Sequence, residues 1–199
     1  MSRQVKLFFA TSVDGFIAGP SGELDWLIED QDYGYEEFIS NVDTLIMGRR
    51  TYDMIANFAE WPYGDRKIYV LSTRESNPDD DRVTFSNYPV EQFIEGLICQ
   101  PGKDIWIVGG MAIIDAAFCH DLIDEISLNI HPVALGAGVP MFPNGDRRIH
   151  LSLISHHLFE KGLISVRYRV ERSETTDKNL LPLIGLKWGK VQKNACVAN

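Results

Sequence analysis

Cysteine is scarce in this chain: three residues in 199 (Cys99, Cys119, Cys196), an odd number without CxxC spacing. A disulfide framework and a thiolate zinc site are therefore not expected, and Cys99 and Cys119 read as small apolar residues near helix ends. Long hydrophobic runs are also missing, and Met1-Ser2-Arg3-Gln4 passes directly into a strand-like segment. The expectation is no membrane span, no secretion signal and a cytoplasmic location. Excess positive charge is lacking, since the formal net charge is −9. Nucleic-acid binding needs a clustered basic surface, so it is disfavoured. The chain has neither the G-x-G-x-x-G fingerprint of Rossmann dinucleotide sites nor the G-x-S-x-G elbow of serine hydrolases. Its five histidines include no ligand spacing, and His156 and His157 are adjacent in a strand-like run, so no metal site is expected.

What is present suits one compact domain, with 45% hydrophobic residues, enough to fill a core. Apolar runs alternate with helical patterns through the first two thirds, which predicts an α/β fold with a mostly parallel sheet. The strands are expected at Val5–Ala10, Thr44–Met47, Lys67–Ser72, Val83–Ser86 and Asp104–Val108. Val90, Phe93, Ile94, Leu97 and Ile98 follow i, i+3, i+4, i+7, i+8 spacing and predict a helix with one apolar face. A second helix follows Gly110, and a short one covers Tyr33–Ser40. Ile126, Leu128 and Ile130 then alternate with polar residues, as a strand with two different faces requires. His150–Phe159 and Leu163–Arg172 flank a Gly162 turn and read as an antiparallel hairpin at the sheet edge.

Between these pieces, the long Gly/Pro-rich connection Pro132–Arg148 is either functional or an interface element. Asn77-Pro78-Asp79-Asp80-Asp81 reads as a solvated acidic turn. Residues 1–172 form the expected domain. Residues 173–199 lose the pattern and are read as a C-terminal tail without an assigned role.

Two stretches share one arrangement, an apolar run ending in glycine that enters a helix: Thr44 through Gly48 to Tyr52, and Ile105 through Gly109-Gly110 to Ile114. Glycine lets backbone approach a ligand, and a helix start offers unpaired N–H groups to anions. Two such turns, the first followed by Arg49 and Arg50, point to an elongated ligand with more than one phosphate. A dinucleotide is the natural candidate.

Five motifs in order now carry a resemblance: Ser12-Val13-Asp14-Gly15-Phe16-Ile17-Ala18, Met47-Gly48-Arg49-Arg50-Thr51-Tyr52, Val70-Leu71-Ser72-Thr73, Val108-Gly109-Gly110 and Pro132-Val133-Ala134-Leu135-Gly136-Ala137-Gly138. Together they resemble the dihydrofolate reductase superfamily, in the branch similar to the C-terminal reductase domain of the bifunctional riboflavin biosynthesis enzyme. The resemblance covers roughly Val5 to Arg172. It implies a three-layer α/β/α fold, a mostly parallel mixed sheet ending in an antiparallel C-terminal hairpin, and NADPH as cofactor. A homodimer is also plausible on this basis.

In that picture Gly48 admits the pyrophosphate, Arg49, Arg50 and Thr51 supply donors, and Thr51 alternatively caps its helix. Gly109 and Gly110 form the second cradle with the amides of Met111 and Ala112. Ser72, Thr73 and Arg74 take the 2′-phosphate, Ala10, Ile17 and Ala18 flank the nicotinamide, and Leu71, Val108 and Ile113 complete the cofactor-facing set.

The substrate side is less determined. Asp14 either relays a proton or fixes its own turn. Trp26, Phe38 and Trp61 either line a pocket for a planar substrate or are ordinary core aromatics. The carboxylate that dihydrofolate reductases carry on the helix before the M-G-R turn has no secure match, the nearest acids being Asp32 and Glu36. The expected activity is an NADPH-dependent reduction of a C=N or C=O group on a small heterocycle. The acceptor classes are a ribosylaminopyrimidine phosphate and dihydrofolate, and the alternative is a non-catalytic nucleotide-binding protein of the same fold. The deaminase signature H-x-E…P-C-x-x-C is absent from the sequence.

Overall fold

A computed structural model of the chain describes residues 3–74, 79–142 and 148–172. The tail at 173–199 and the residues Asn77 and Pro78 of the acidic turn lie outside the described residues.

In chain order the elements are β1 (Val5–Ser12), β2 (Phe16–Ala18), α1 (Tyr35–Ser40), β3 (Val42–Gly48), α2 (Arg49–Ile55), β4 (Lys67–Leu71) and β5 (Thr84–Ser86). They are followed by α3 (Val90–Ile98), β6 (Asp104–Gly109), α4 (Met111–Cys119), β7 (Glu125–His131), β8 (Val139–Pro140), β9 (Leu151–Leu158) and β10 (Ile164–Val170). Eight strands form one sheet in the order β5-β4-β3-β6-β1-β7-β10-β9. All neighbours from β5 to β7 run parallel, whereas β10 is antiparallel to both β7 and β9. The expected hairpin is therefore present, with β10 inside the sheet and β9 at its edge.

Sequence explains the burial. β1 alternates strictly at first: Val5, Leu7 and Phe9 face α3 and α4 and join Ile94, Leu97, Ile114 and Phe118 in one core. β3 is buried at Thr44, Leu45, Ile46 and Met47 because both its faces are covered, as parallel interior strands require. Its second face packs with Tyr52 and Ile55 of α2, together with Tyr63 and Trp106. Three layers result.

The sequence expectations hold at the level of elements and shift at their ends. α1 starts at Tyr35 instead of Tyr33, since Gly34 takes a φ of +89° and the Asp32 carboxylate accepts the Tyr35 and Glu36 amides at 2.8 and 3.2 Å. Cys99 and Cys119 do lie at the ends of α3 and α4, and both are exposed. The acidic turn is more than a solvated loop. Asp80 accepts Tyr52 Oη at 2.8 Å and a fork from Arg82 at 2.8 and 2.7 Å, and its carboxyl is held well below the usual range, chiefly by Arg82. Arg3, 7% exposed, donates to Lys103 O, Leu97 O, Thr44 Oγ1 and Asp43, and so links β1 to β3 and to the loop before β6.

Candidate functional site

The two glycine turns meet. β3 and β6 are parallel neighbours, with Met47 opposite Gly109, so Gly48 and Gly110 leave the sheet side by side. A Cβ added at Gly110 would lie 3.1 Å from the N and Cα of Gly48, and Gly110 has a φ of +106°. A Cβ at Gly48 would lie 3.3 Å from Gly110 Cα, and one at Gly109 would lie 3.1 Å from Thr51 Oγ1. Backbone thus abuts backbone between Gly48 and Gly110 at the carboxyl ends of both strands, and the positive φ of Gly110 favours glycine there. Beyond the turn, Ile113 N and Ile114 N donate to Gly110 O at 2.8 and 3.1 Å, so the amides of Met111 and Ala112 precede the first intrahelical donors of α4.

Thr51 packs against Gly109 and makes no capping bond; the N-cap of α2 is Gly48. The capping alternative for Thr51 is thereby overturned. Arg49 Nε donates to Asp53 Oδ1 at 2.7 Å, one helical turn on, and its guanidinium lies 5.7 Å from the Phe85 ring centre. Arg74 Nη1 approaches the other oxygen of Asp53 at 3.6 Å. Arg49 and Arg74, from different strand ends, therefore gather around one carboxylate. Asp53 was missed in the sequence, although its i+4 spacing from Arg49 was the available signal. Ser72 Oγ accepts the Arg74 amide at 3.2 Å, and Thr73 and Arg50 are exposed.

Leu71 and Ile113, expected to face a cofactor, are only 8% and 5% exposed and belong to the core. They support the turns from behind, because an apolar side chain next to packed backbone gains more from the core than from a polar ligand. Val108, Ala10, Ile17 and Ala18 are half-buried near the same strand ends.

Asp14 is tied into a clasp. Its carboxylate accepts Ser12 Oγ at 2.6 Å, Gly136 N at 2.7 Å and Leu135 N at 3.1 Å. These bonds, that from Ser12 first, lower its pKa to about 2. These three bonds engage both carboxylate oxygens and give the turn-fixing alternative its physical basis. The clasp also binds the long connection to the first loop, where β2 pairs with β8 and Met141 N donates to Gly15 O at 2.9 Å.

The three candidate pocket aromatics separate. Phe38 packs on Phe8 and Trp106, with ring centres 4.7 and 5.3 Å away. Trp61 lies under Arg82, 4.3 Å from ring centre to guanidinium, and beside Tyr63. Trp26 sets its ring edge-on to His131 at 5.3 Å. They therefore do not form one pocket: Trp61 packs beside Tyr63 and Trp26 beside His131, whereas Phe38, stacked on Phe8 and Trp106, also lines a concavity beside α1.

His131 is a residue the sequence passed over. It is 3% exposed, accepts the Ile28 amide on Nδ1 at 3.2 Å, and burial lowers its pKa. Among the described residues, no group of three or more His, Cys, Asp or Glu side chains is arranged to hold a metal ion, and no helix is long and apolar enough to cross a membrane.

The family model of the RibD C-terminal domain matches residues 3–165. The uncharacterized Bacillus subtilis protein YyaP is 33% identical over 177 residues, 83% of this chain and 94% of its own. A dihydrofolate reductase of Heliothis virescens is 29% identical over 157 residues, 73% of this chain and 83% of its own. Among solved structures, a candidate riboflavin biosynthesis protein from Shewanella sp. PV-4 is similar with a TM-score of 0.75 and 31% identity, over 86% of this chain and all of that one. The Thermotoga maritima diaminohydroxyphosphoribosylaminopyrimidine deaminase/5-amino-6-(5-phosphoribosylamino)uracil reductase shares the fold at TM-score 0.67 and 14% identity, over 85% of this chain and 57% of that one.

Proposed function

Because the chain belongs to the RibD C-terminal domain family, we propose that it is an NADPH-dependent reductase of a small pterin- or pyrimidine-like heterocycle. The observation that carries this reading is the side-by-side exit of the two glycine turns from parallel β3 and β6, packed so closely that an added Cβ at either would press on the other's backbone, with the first amides of α4 opening beside them. When bound, the nicotinamide supplies hydride to a C=N or C=O carbon of the acceptor.

The chain's own groups hold and shield. Gly48, Gly109 and Gly110 admit a pyrophosphate, and the amides of Met111 and Ala112 with Thr51, Arg49 and Arg50 donate to it. Ser72, Thr73 and Arg74, at the end of β4, suit the 2′-phosphate, with Arg74 exchanging its 3.6 Å approach to Asp53 for the phosphate. Ala10, Ile17, Ala18 and Val108 offer small and apolar surface that keeps water from the nicotinamide. With Asp14 committed to its clasp, the proton for the acceptor comes from solvent.

Titration with NADPH and NADH, followed by nicotinamide fluorescence, tests the reading. Saturable binding of NADPH is expected, and its absence for both nucleotides overturns the proposal. Arg74→Ala should weaken NADPH about tenfold and leave NADH nearly unchanged, the size expected for one charge-assisted contact of about 1.5 kcal/mol. Equal effects on both remove the 2′-phosphate role. One observation favours a second reading, a nucleotide-binding protein without turnover: Asp14 and Asp32 are both occupied with backbone donors. Binding without oxidation across dihydrofolate and ribosylaminopyrimidine phosphate acceptors would select it.

A further inference from the structure

On the sheet face carrying α1, a second concavity lies away from the glycine turns, with a volume of about 470 Å³. It runs from Lys6 and Glu125, at the amino ends of β1 and β7, along α1 to Tyr33. Its size suits a small molecule. The floor is set by register. Arg167 on β10 stands opposite Ser127 of β7 on one side and Ser155 of β9 on the other. The next row of the same face holds Asn129, Ser165 and His157. Directly opposed residues share a face about 5 Å apart, so Ser127 and Ser155 flank Arg167, and Ser165 lies in the next row.

Arg167 is the unusual member. It is half-buried, its Nε–H is shielded from solvent without an acceptor, and among the described residues no carboxylate lies within ion-pair distance of it. In the neighbouring row the Asn129 amide donates to Tyr33 O at 3.1 Å, while its buried Oδ1 has no partner. A buried N–H without an acceptor is costly, and such orphaned groups call for an explanation. The other charges around the cavity are largely committed. Lys6 pairs with Asp104 and Glu125 at 2.9 and 3.4 Å, and Asp32 holds the first amides of α1. Glu37, on the α1 wall, remains. Phe8, Phe38, Tyr33 and Phe159 supply aromatic surface beside this floor.

We propose that this cavity binds an aromatic small molecule bearing an oxyanion group, with the carboxylate or phosphate on Arg167 and the serines and the ring against the aromatic wall. A planar fork of N–H donors flanked by hydroxyls matches that group's geometry, and the mixed polar floor and aromatic wall match an amphiphilic ring. The site is independent of the cofactor reading.

The test is calorimetric titration of the full chain with benzoate, phenyl phosphate and inorganic phosphate. Saturable binding of both aryl anions is expected, tighter than that of inorganic phosphate; preference between benzoate and phenyl phosphate identifies the head group. Arg167→Met should weaken both at least tenfold while leaving NADPH titration unchanged, and Glu37→Gln should tighten both by removing one of the negative charges that line the cavity. If Arg167→Met does not fold, the pair Ser127→Ala and Ser155→Ala carries the same expectation of weakening. Undiminished binding in these variants overturns the proposal, as does the absence of saturable binding to the parent chain. So does a change of oligomeric state in Arg167→Met without an effect on anions, which would make the face a contact between copies.

Discussion

The glycine cradle and the Arg167 face lie on one sheet and are built on opposite principles. The glycine turns are a matter of backbone: Gly48 and Gly110 lie against each other where any side chain would press, and the donors proposed there are the amides that open α4. The Arg167 face is made of side chains on three strands that meet only through the antiparallel turn of β10. A backbone site is intolerant of added atoms. A side-chain site on a strand face accepts them and changes ligand instead.

Two arginines offer the sharpest test of that contrast. Arg3 is buried with four acceptors, whereas Arg167 is half-buried without a described counter-charge. Arg3→Met should cost about 3 kcal/mol, because it strands buried partners, while Arg167→Met should be neutral or stabilising. Urea unfolding of both variants measures this, and equal losses would erase the distinction. Gly110→Ala comes next. Its φ of +106° and the 3.1 Å approach to Gly48 predict a loss of about 1–3 kcal/mol together with failure of nucleotide binding. Ser165→Ala, on the other face, should stay within about 0.5 kcal/mol of the parent.

The smallest effect concerns pH. Asp14 titrates at about 2 instead of its ordinary 3.8, so its contribution to stability is full above the ordinary value and fades as pH falls toward 2. The stability difference between the parent and Asp14→Asn should therefore shrink between about pH 5 and pH 2. A constant difference across that interval would show that the charge of Asp14 is not what closes the clasp.

The contrast also explains what the sequence disclosed. Glycines after apolar runs are local signals, so the cradle, the strands leading to it and the order of motifs could be read directly. Helix periodicity likewise located α3, whose Ile94 and Leu97 are buried as expected. What escaped depended on distant pairing. Ser127, Ser155 and Arg167 share a face only because β10 inserts between β7 and β9, and nothing in their spacing announces it. Asp80 looked like part of a charge run, yet Tyr52, 28 residues away, makes it a structural acceptor. Trp26, Phe38 and Trp61 were placed together by chemical type alone. The fold sends them to different neighbours.

The Asp14 clasp has a consequence in time. Its partners Leu135 and Gly136 lie 121 and 122 residues downstream. Such closures carry a large loop entropy and come late in folding. β1 and β7 pair across nearly the same span, Ser12 opposite His131, so one long closure also delivers Asp14 to Leu135 and Gly136 at little further entropic cost.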